Sequence, residues 1–485
     1  MNGNNIDQVP IRKVTSSERI QKIIKEFYDE FGCHPAFVAR VPGRVNLIGE
    51  HIDYCGYPVL PMALEQDILV AGSLTEEHKV CIRNANPKYV SFELEIKAYD
   101  DITITADKDG KPFWYNYVLC GLKGALEHLN NEFSSGVRLY IDGNIPPASG
   151  LSSSSALVSA ACLAFLYAQN ATLNRTEIAS LCARCERYIG TQGGGMDQAI
   201  AFLAEKYCAQ YITWNPLKAT KVVLPEDASF VVAHSLAEIN KAATNDYNRR
   251  VIECRLASKI LALSPETSKD HSVITLSQVQ KLLDKTLEEM VTLVYERLPK
   301  SIYTKDEVCK MLEISEEEID KLYLTSNTRH ITEFKLKQRA LHVYEEALRV
   351  EEFRKICLQS NMNGKSNGSI HDKIRSSGDE NEILTRLGKL MSNSHESLKS
   401  LYECSHKKLD LLVEISSKLN VHSRLTGAGW GGCIVALCPN EKVKNYIEKL
   451  ENEYYVEHCN IDKNKAKSYI FATTPNYGAV IYVNQ

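Results

Sequence analysis

The chain has 485 residues, 44% hydrophobic and 24% charged, which is ordinary for a globular protein and too long for one core of usual size, so two domains are expected. A formal net charge of −4 with Lys and Arg spread along the whole length argues against a surface for nucleic acid or acidic lipid, and for small-molecule partners. The polar start of the chain lacks the apolar core of a secretory signal and no apolar run reaches the roughly 20 residues of a membrane span. A cytoplasmic protein is the expectation, and fifteen cysteines scattered singly among apolar neighbours read as reduced, mostly buried thiols. Cys182 and Cys185 form a Cys-x-x-Cys with no second pair or ligand-spaced histidines, so a metal or redox role is disfavoured.

Ile20, Ile23, Ile24, Phe27 and Phe31 recur at helical spacing and stop at Gly32. Residues 37–49 and 67–75 read as strands joined through a Pro-Gly turn. Val137, Leu139 and Ile141 alternate as in a strand with one buried face, and after a glycine- and proline-bearing loop residues 155–168 read as a buried helix. Two more helices follow, separated by the three glycines Gly193 to Gly195. Residues 208–214 and 230–235 are expected strands, and the segment 215–227 between them is the expected seam between domains 1–225 and 226–485. From about Val251 to His422 the pattern is mostly helical, with charge runs such as 314–323 read as solvated faces. Residues 360–381, rich in Asn, Ser and Gly, are expected to be a mobile loop, and three strands close the chain.

Four stretches carry chemistry. In "GLSSSSALV", serines 152 to 155 stand where a buried helix begins, and its unpaired N–H groups and dipole make an anion cradle. The same serines also suit helix capping, and this stretch alone leaves both readings open. No Lys follows the glycines, so this is not a Walker A loop. In "RVPGRVNLIGEHIDYCGY", Arg44, Glu50, His51 and Asp53 crowd a glycine-bracketed turn, suited either to a hydroxyl-rich ligand or to a charged surface turn. In "TQGGGMDQ", Asp197 follows three glycines at a helix start, as a dipole partner or as an ionised carboxylate beside a substrate. Finally, Gly427, Gly429 and Gly432 match G-x-G-x-x-G but are followed by the strand-like "CIVALC". A dinucleotide fold is therefore rejected in favour of a glycine-rich turn between a helix and a strand, pressed against another backbone or a ligand.

Together, "PGRVNLIGEHIDYCGYPVLPMA", "GNIPPASGLSSSSALV" and "LTGAGWGGC", in this order from Pro42 to Cys433, resemble the galactokinase branch of the GHMP small-molecule kinases. Within it, "ERYIGTQGGGMDQ" and "EINKAATNDYNRRVIECRLA" are most similar to the N-acetylgalactosamine kinases. The resemblance implies an α+β GHMP kinase fold of two domains with the active site in the cleft between them. It implies a sugar 1-kinase that moves the γ-phosphoryl group of ATP to the anomeric hydroxyl of N-acetylgalactosamine or galactose. Asp197 and Arg44 would be catalytic: Asp197 as the base for the C1 hydroxyl, Arg44 holding it ionised and stabilising the transferred charge. Glu50, His51, Asp53, Gly194 and Tyr247 would join them in binding the sugar. Gly150, Ser152, Ser153, Ser154, Asn240 and Lys241 would bind ATP, and Ser154 with Glu186 would hold Mg2+. Ser155 stands where many members of the family have alanine, which leaves the magnesium serine open by one position. A galactokinase proper and a sugar-binding sensor of the yeast regulatory type are the alternative readings. A monomer is expected.

Overall fold

The structure is a computed structural model, and it describes residues 7–108, 111–237, 245–263, 275–325, 327–363 and 377–484. Asn240, Lys241 and most of the expected 360–381 loop lie outside them. The strands are β1 (Ile11–Lys13), β2 (Phe37–Asn46), β3 (Pro61–Leu74), β4 (Lys79–Asn84), β5 (Phe92–Glu95), β6 (Val137–Gly143), β7 (Cys208–Thr213), β8 (Lys218–Val223), β9 (Ala228–His234), β10 (Tyr303–Thr304), β11 (Glu333–Phe334), β12 (His422–Thr426), β13 (Cys433–Pro439), β14 (Ile470–Thr473) and β15 (Val480–Val483). The helices that matter below are α1 (Glu18–Phe31), α2 (Trp114–His128), α3 (Ser153–Ala168), α4 (Arg175–Cys185), α5 (Met196–Leu203), α6 (Asp246–Leu261), α7 (Leu276–Leu282), α8 (Leu287–Arg297), α9 (Lys305–Leu312), α10 (Glu316–Leu322), α11 (Leu336–Asn363), α12 (Ser377–Ser400) and α13 (Lys407–Lys418).

A seven-stranded mixed sheet runs in the order β1-β15-β2-β3-β6-β4-β5, and a four-stranded antiparallel sheet in the order β12-β13-β9-β14. Helices α3 and α5 pack on the first sheet at β2 and β3, with α2 and α4 behind them. Helix α1 covers the opposite face: Ile20, Ile23 and Phe27, its apolar stripe, meet Val38, Leu69 and Ala71. Gly32 ends α1 in the left-handed conformation at φ 68°, the usual helix stop. Helix α3 has no polar face beyond its first turn because it is enclosed on every side. In the second half, α11 lies between α6, α8 and α12, and α12 and α13 pack against β12. The fold is therefore the mixed α+β type expected.

Three local expectations are corrected. Pro42-Gly43 is no turn: β2 runs through it, and the pairing with β3 shifts register between Pro42 and Arg44. The reason is contact, since a Cβ on Gly43 would stand 2.8 Å from the carbonyl oxygen of Leu151, so a bulge there lets the serine loop approach the strand. The seam 215–227 contains β8, which pairs with β7. The late glycine turn joins β12 to β13, two antiparallel strands, rather than a helix to a strand. The cut at 225 also does not separate the sheets cleanly, because β15 returns to the first sheet and pairs with β2. At the edges of the expected 360–381 loop, α11 continues to Asn363 and α12 begins at Ser377. All cysteines are free, and all but Cys33 and Cys459 are buried.

Candidate active site

The serine loop is held open by its own backbone. Ala148, Gly150 and Ser152 have φ of 52°, 75° and 64°, while the residues between them do not. Alternation of this kind turns successive N–H groups toward one concavity, the geometry of an anion-binding nest. Ser152 takes a left-handed conformation that a side chain rarely adopts, and its buried hydroxyl has no partner among the described residues. An orphaned hydroxyl in a strained cradle at the mouth of α3 fits an absent anionic group.

Two other segments brace the cradle. Arg44 donates from its backbone N–H to the Leu151 carbonyl at 3.1 Å and from its guanidinium to the Gly150 carbonyl at 2.5 Å. On the other side, a Cβ on Gly427 would stand 2.4 Å from the Gly150 carbonyl oxygen, and one on Gly432 would stand 2.6 Å from that of Ser149. The expected close backbone approach of the glycine turn is present, and its counterpart is the serine loop.

Arg44, 2% exposed, also pairs with Asp197 at 2.7 Å in the first turn of α5. The Ser155 hydroxyl lies 2.6 Å from Glu186 Oε1 and 3.1 Å from Asp197 Oδ2. One hydroxyl has one hydrogen, and the shorter contact gives it to Glu186. The serine joined to Glu186 is thus Ser155, while Ser154 lines the neighbouring cavity.

Two adjoining cavities meet at Glu186, Thr191 and Ala428. The smaller is lined by all seven expected sugar residues: Arg44, Glu50, His51, Asp53, Gly194, Asp197 and Tyr247. Gly194 has no room for a side chain, as its Cβ would fall 2.5 Å from the Asp53 carboxyl. Burial, then the nearby Asp197, pushes Asp53 from its ordinary 3.8 up to about 6. His51 Nε2–H donates to the Ala428 carbonyl at 2.9 Å, and Nδ1 accepts from the Tyr54 hydroxyl at 2.8 Å. The His51 ring lies against Tyr247 and Tyr402, with centroids 5.7 and 4.7 Å away. Glu50 Oε2 accepts from Arg424 and from the Gly427 N–H, each at 3.0 Å, while burial raises its pKa.

The larger cavity, of about 360 Å³, is lined by Gly150, Ser152, Ser153 and Ser154. It is also lined by Tyr89, Trp114, Tyr117, Asn84 and Asn86, none of which the sequence reading singled out. An aromatic wall with amide edges, its Tyr89 and Trp114 rings 5.5 Å apart and tilted by 41°, suits a planar heterocycle. The only sequence signal for it was the aromatic cluster Phe113-Trp114-Tyr115, which reads equally well as core. Among the described residues no group of three His, Cys, Asp or Glu could hold a metal. What the chain offers at the junction is one carboxylate, Glu186, and serine hydroxyls, a set that fits a hard cation keeping waters and taking oxygens from an anionic substrate.

Comparison with known proteins agrees with the order of these segments. The galactokinase galactose-binding signature matches residues 25–74, the GHMP kinase N-terminal domain residues 116–205 and the GHMP kinase C-terminal domain residues 381–457. A galactokinase of Dictyostelium discoideum is 41% identical, over 96% of this chain and 93% of that protein. The galactokinase of Saccharomyces cerevisiae is 33% identical, over 96% and 95%. Among solved structures, Lactococcus lactis galactokinase complexed with galactose superposes with a TM-score of 0.69 at 25% identity, over 95% of this chain and 99% of that one. The Methanococcus jannaschii mevalonate kinase, at 20% identity and a TM-score of 0.51, shares the fold. No helix among the described residues is long and apolar enough to cross a membrane.

Proposed function

Because the chain belongs to the galactokinase branch of the GHMP kinases, and so is a phosphotransferase with an alcohol group as acceptor, we propose that it phosphorylates the anomeric hydroxyl of galactose at the expense of ATP. The observation that carries this reading is the Arg44–Asp197 pair, 2.7 Å apart, where a hydroxyl-binding cavity and an anion nest meet. Galactose is preferred over N-acetylgalactosamine because the two relatives described above carry the name galactokinase.

In this reading the sugar occupies the smaller cavity, with Asp53, Glu50, His51 and Tyr247 around it and its C1 hydroxyl toward Asp197. Asp197 accepts the hydroxyl proton as the oxygen attacks the γ-phosphorus. Arg44 keeps the carboxylate oriented and sits between it and the nest, where charge on the transferring group is greatest. The adenine ring of ATP lies against Trp114 and its aromatic neighbours, and the phosphates reach the nest of Gly150, Ser152, Ser153 and Ser154. Asn240 and Lys241 stay assigned to the nucleotide. Mg2+ held by Glu186 and Ser154 would neutralise phosphate charge. The two domains remain 1–225 and 226–485, apart from the returning strand β15.

Purified protein with Mg-ATP should release ADP on addition of galactose and form the sugar 1-phosphate. Sugar binding without ADP release would favour the sensor reading and end this one. The same assay with N-acetylgalactosamine decides the sugar: kcat/KM equal to or above that for galactose defeats the preference stated here. Asp197→Asn should lower kcat by about 10²-fold or more while ATP still binds.

A further inference from the structure

Behind the sugar cavity, α11 and α12 meet the turn that follows β2. Glu346, fully buried on α11, accepts through Oε1 from the backbone N–H of Gly49 at 2.9 Å, from that of Glu50 at 3.3 Å and from the Ser394 hydroxyl at 2.7 Å. Its Oε2 accepts from Arg349 at 2.7 Å. One helical turn earlier, His342 Nε2–H donates to the Glu50 carbonyl at 3.0 Å and Nδ1 accepts from the Ser397 hydroxyl at 2.8 Å. Gly49 has φ 99°, and a Cβ there would press on Val350 of α11 at 3.0 Å and Val59 at 3.1 Å, so the glycine is what lets the helix come this close. Two residues on, His51 is held at φ 65°, a strained conformation that needs its surroundings to persist.

A buried carboxylate needs a cation and hydrogen-bond donors. Arg349 alone would serve Oε2, yet Oε1 draws most of its donors from the peptide groups of the sugar turn. We propose that Glu346 and His342 of α11, steadied by Ser394 and Ser397 of α12, are positioning residues that clamp the backbone of Gly49 and Glu50 and thereby set the sugar-binding side chains of Glu50, His51 and Asp53. This rests on the galactose reading of the cavity. Burial would raise the Glu346 pKa, but the charges of Arg349 and Arg424, with the Ser394 hydroxyl, hold it down at about 2, and burial holds His342 neutral, at about 4. Both groups are thus in the states the clamp uses at neutral pH.

The test is steady-state kinetics of the full chain and calorimetric galactose binding for Glu346→Gln and for the milder Ser394→Ala, which removes one donor to Oε1. The amide of Glu346→Gln faces Arg349 without charge, and KM and Kd for galactose should rise by about tenfold, the worth of one charge-assisted hydrogen bond. KM for ATP should stay within about twofold. Ser394→Ala should shift galactose in the same direction by less, which keeps the test decisive should Glu346→Gln fold poorly. Galactose KM unchanged in Ser394→Ala and Glu346→Gln, or both substrates weakened alike, would overturn the clamp while leaving the site reading intact. A wild-type protein that turns over no galactose would overturn both.

Discussion

Asp53 is the clearest case of a side chain kept against its own stability. Its pKa is raised in the fold from 3.8 to about 6, so the folded state binds a proton more tightly than the unfolded chain. Whatever stability this contributes is full below pH 3.8 and lost as pH rises through about 6. At neutral pH the charged carboxyl is a burden, and Asp53→Asn should stabilise the protein by roughly 1–2 kcal/mol there and by nearly nothing at pH 4, discounted for its partial exposure. Thermal unfolding of both proteins at pH 4 and 7.5 checks this, and a gap that does not widen with pH contradicts it. The same variant should bind galactose poorly. Ser155 offers a second residue-level prediction. Ser155→Ala removes the hydroxyl that bonds Glu186 at 2.6 Å but keeps a residue suited to a buried helix. The fold should be unaffected, while the half-saturating Mg2+ concentration rises and kcat falls by about tenfold, read from a magnesium titration at fixed ATP.

At the scale of elements, the contact between the serine loop and the β12–β13 turn is backbone on backbone, so small changes there have large effects. Gly427→Ala would place a methyl 2.4 Å from the Gly150 carbonyl oxygen at a residue with φ 83°. Strain alone is worth about 1–3 kcal/mol, and the nest must also move. A lower Tm together with weaker ATP binding is expected, and undiminished ATP affinity would deny that this contact shapes the nest. Much of this element was legible beforehand: the three glycines and the strand after them announced a close approach, and the four serines a helix mouth. What could not be read was the partner, since Gly150 and Gly427 are far apart in sequence. The Pro42-Gly43 bulge was misread as a turn because both use the same dipeptide, and only the neighbouring Leu151 carbonyl distinguishes them. The clamp was hidden for a different reason. "HVYEEALRVEEF" reads as a solvated charged face, and nothing local shows that Glu346 points inward while Glu345 and Glu352 do not. The aromatic wall was likewise split between residues 84–89 and 114–117, each ordinary alone.

For the whole molecule, β15 ties the late chain to the early sheet. It lies between β1 and β2, with Ile481 opposite Ala39 on one side and Ile11 on the other. Arg40 of β2, paired with Asp67 at 2.5 Å, also donates to the Tyr477 and Gly478 carbonyls. Deleting residues 477–485 should therefore expose the edge of the strand that carries Arg44, lowering Tm by more than about 10 °C and promoting association through the open edge. Light scattering and a melting curve test this, and an unchanged Tm would show that β15 is dispensable. The same pairing has a consequence for biosynthesis. At a translation rate of roughly 10 residues per second, about 40 s pass between emergence of β2 and of its neighbour β15. During that interval the ribosome holds a nascent chain whose first sheet cannot close, so the strand that carries Arg44 gains this neighbour only after the second sheet has emerged.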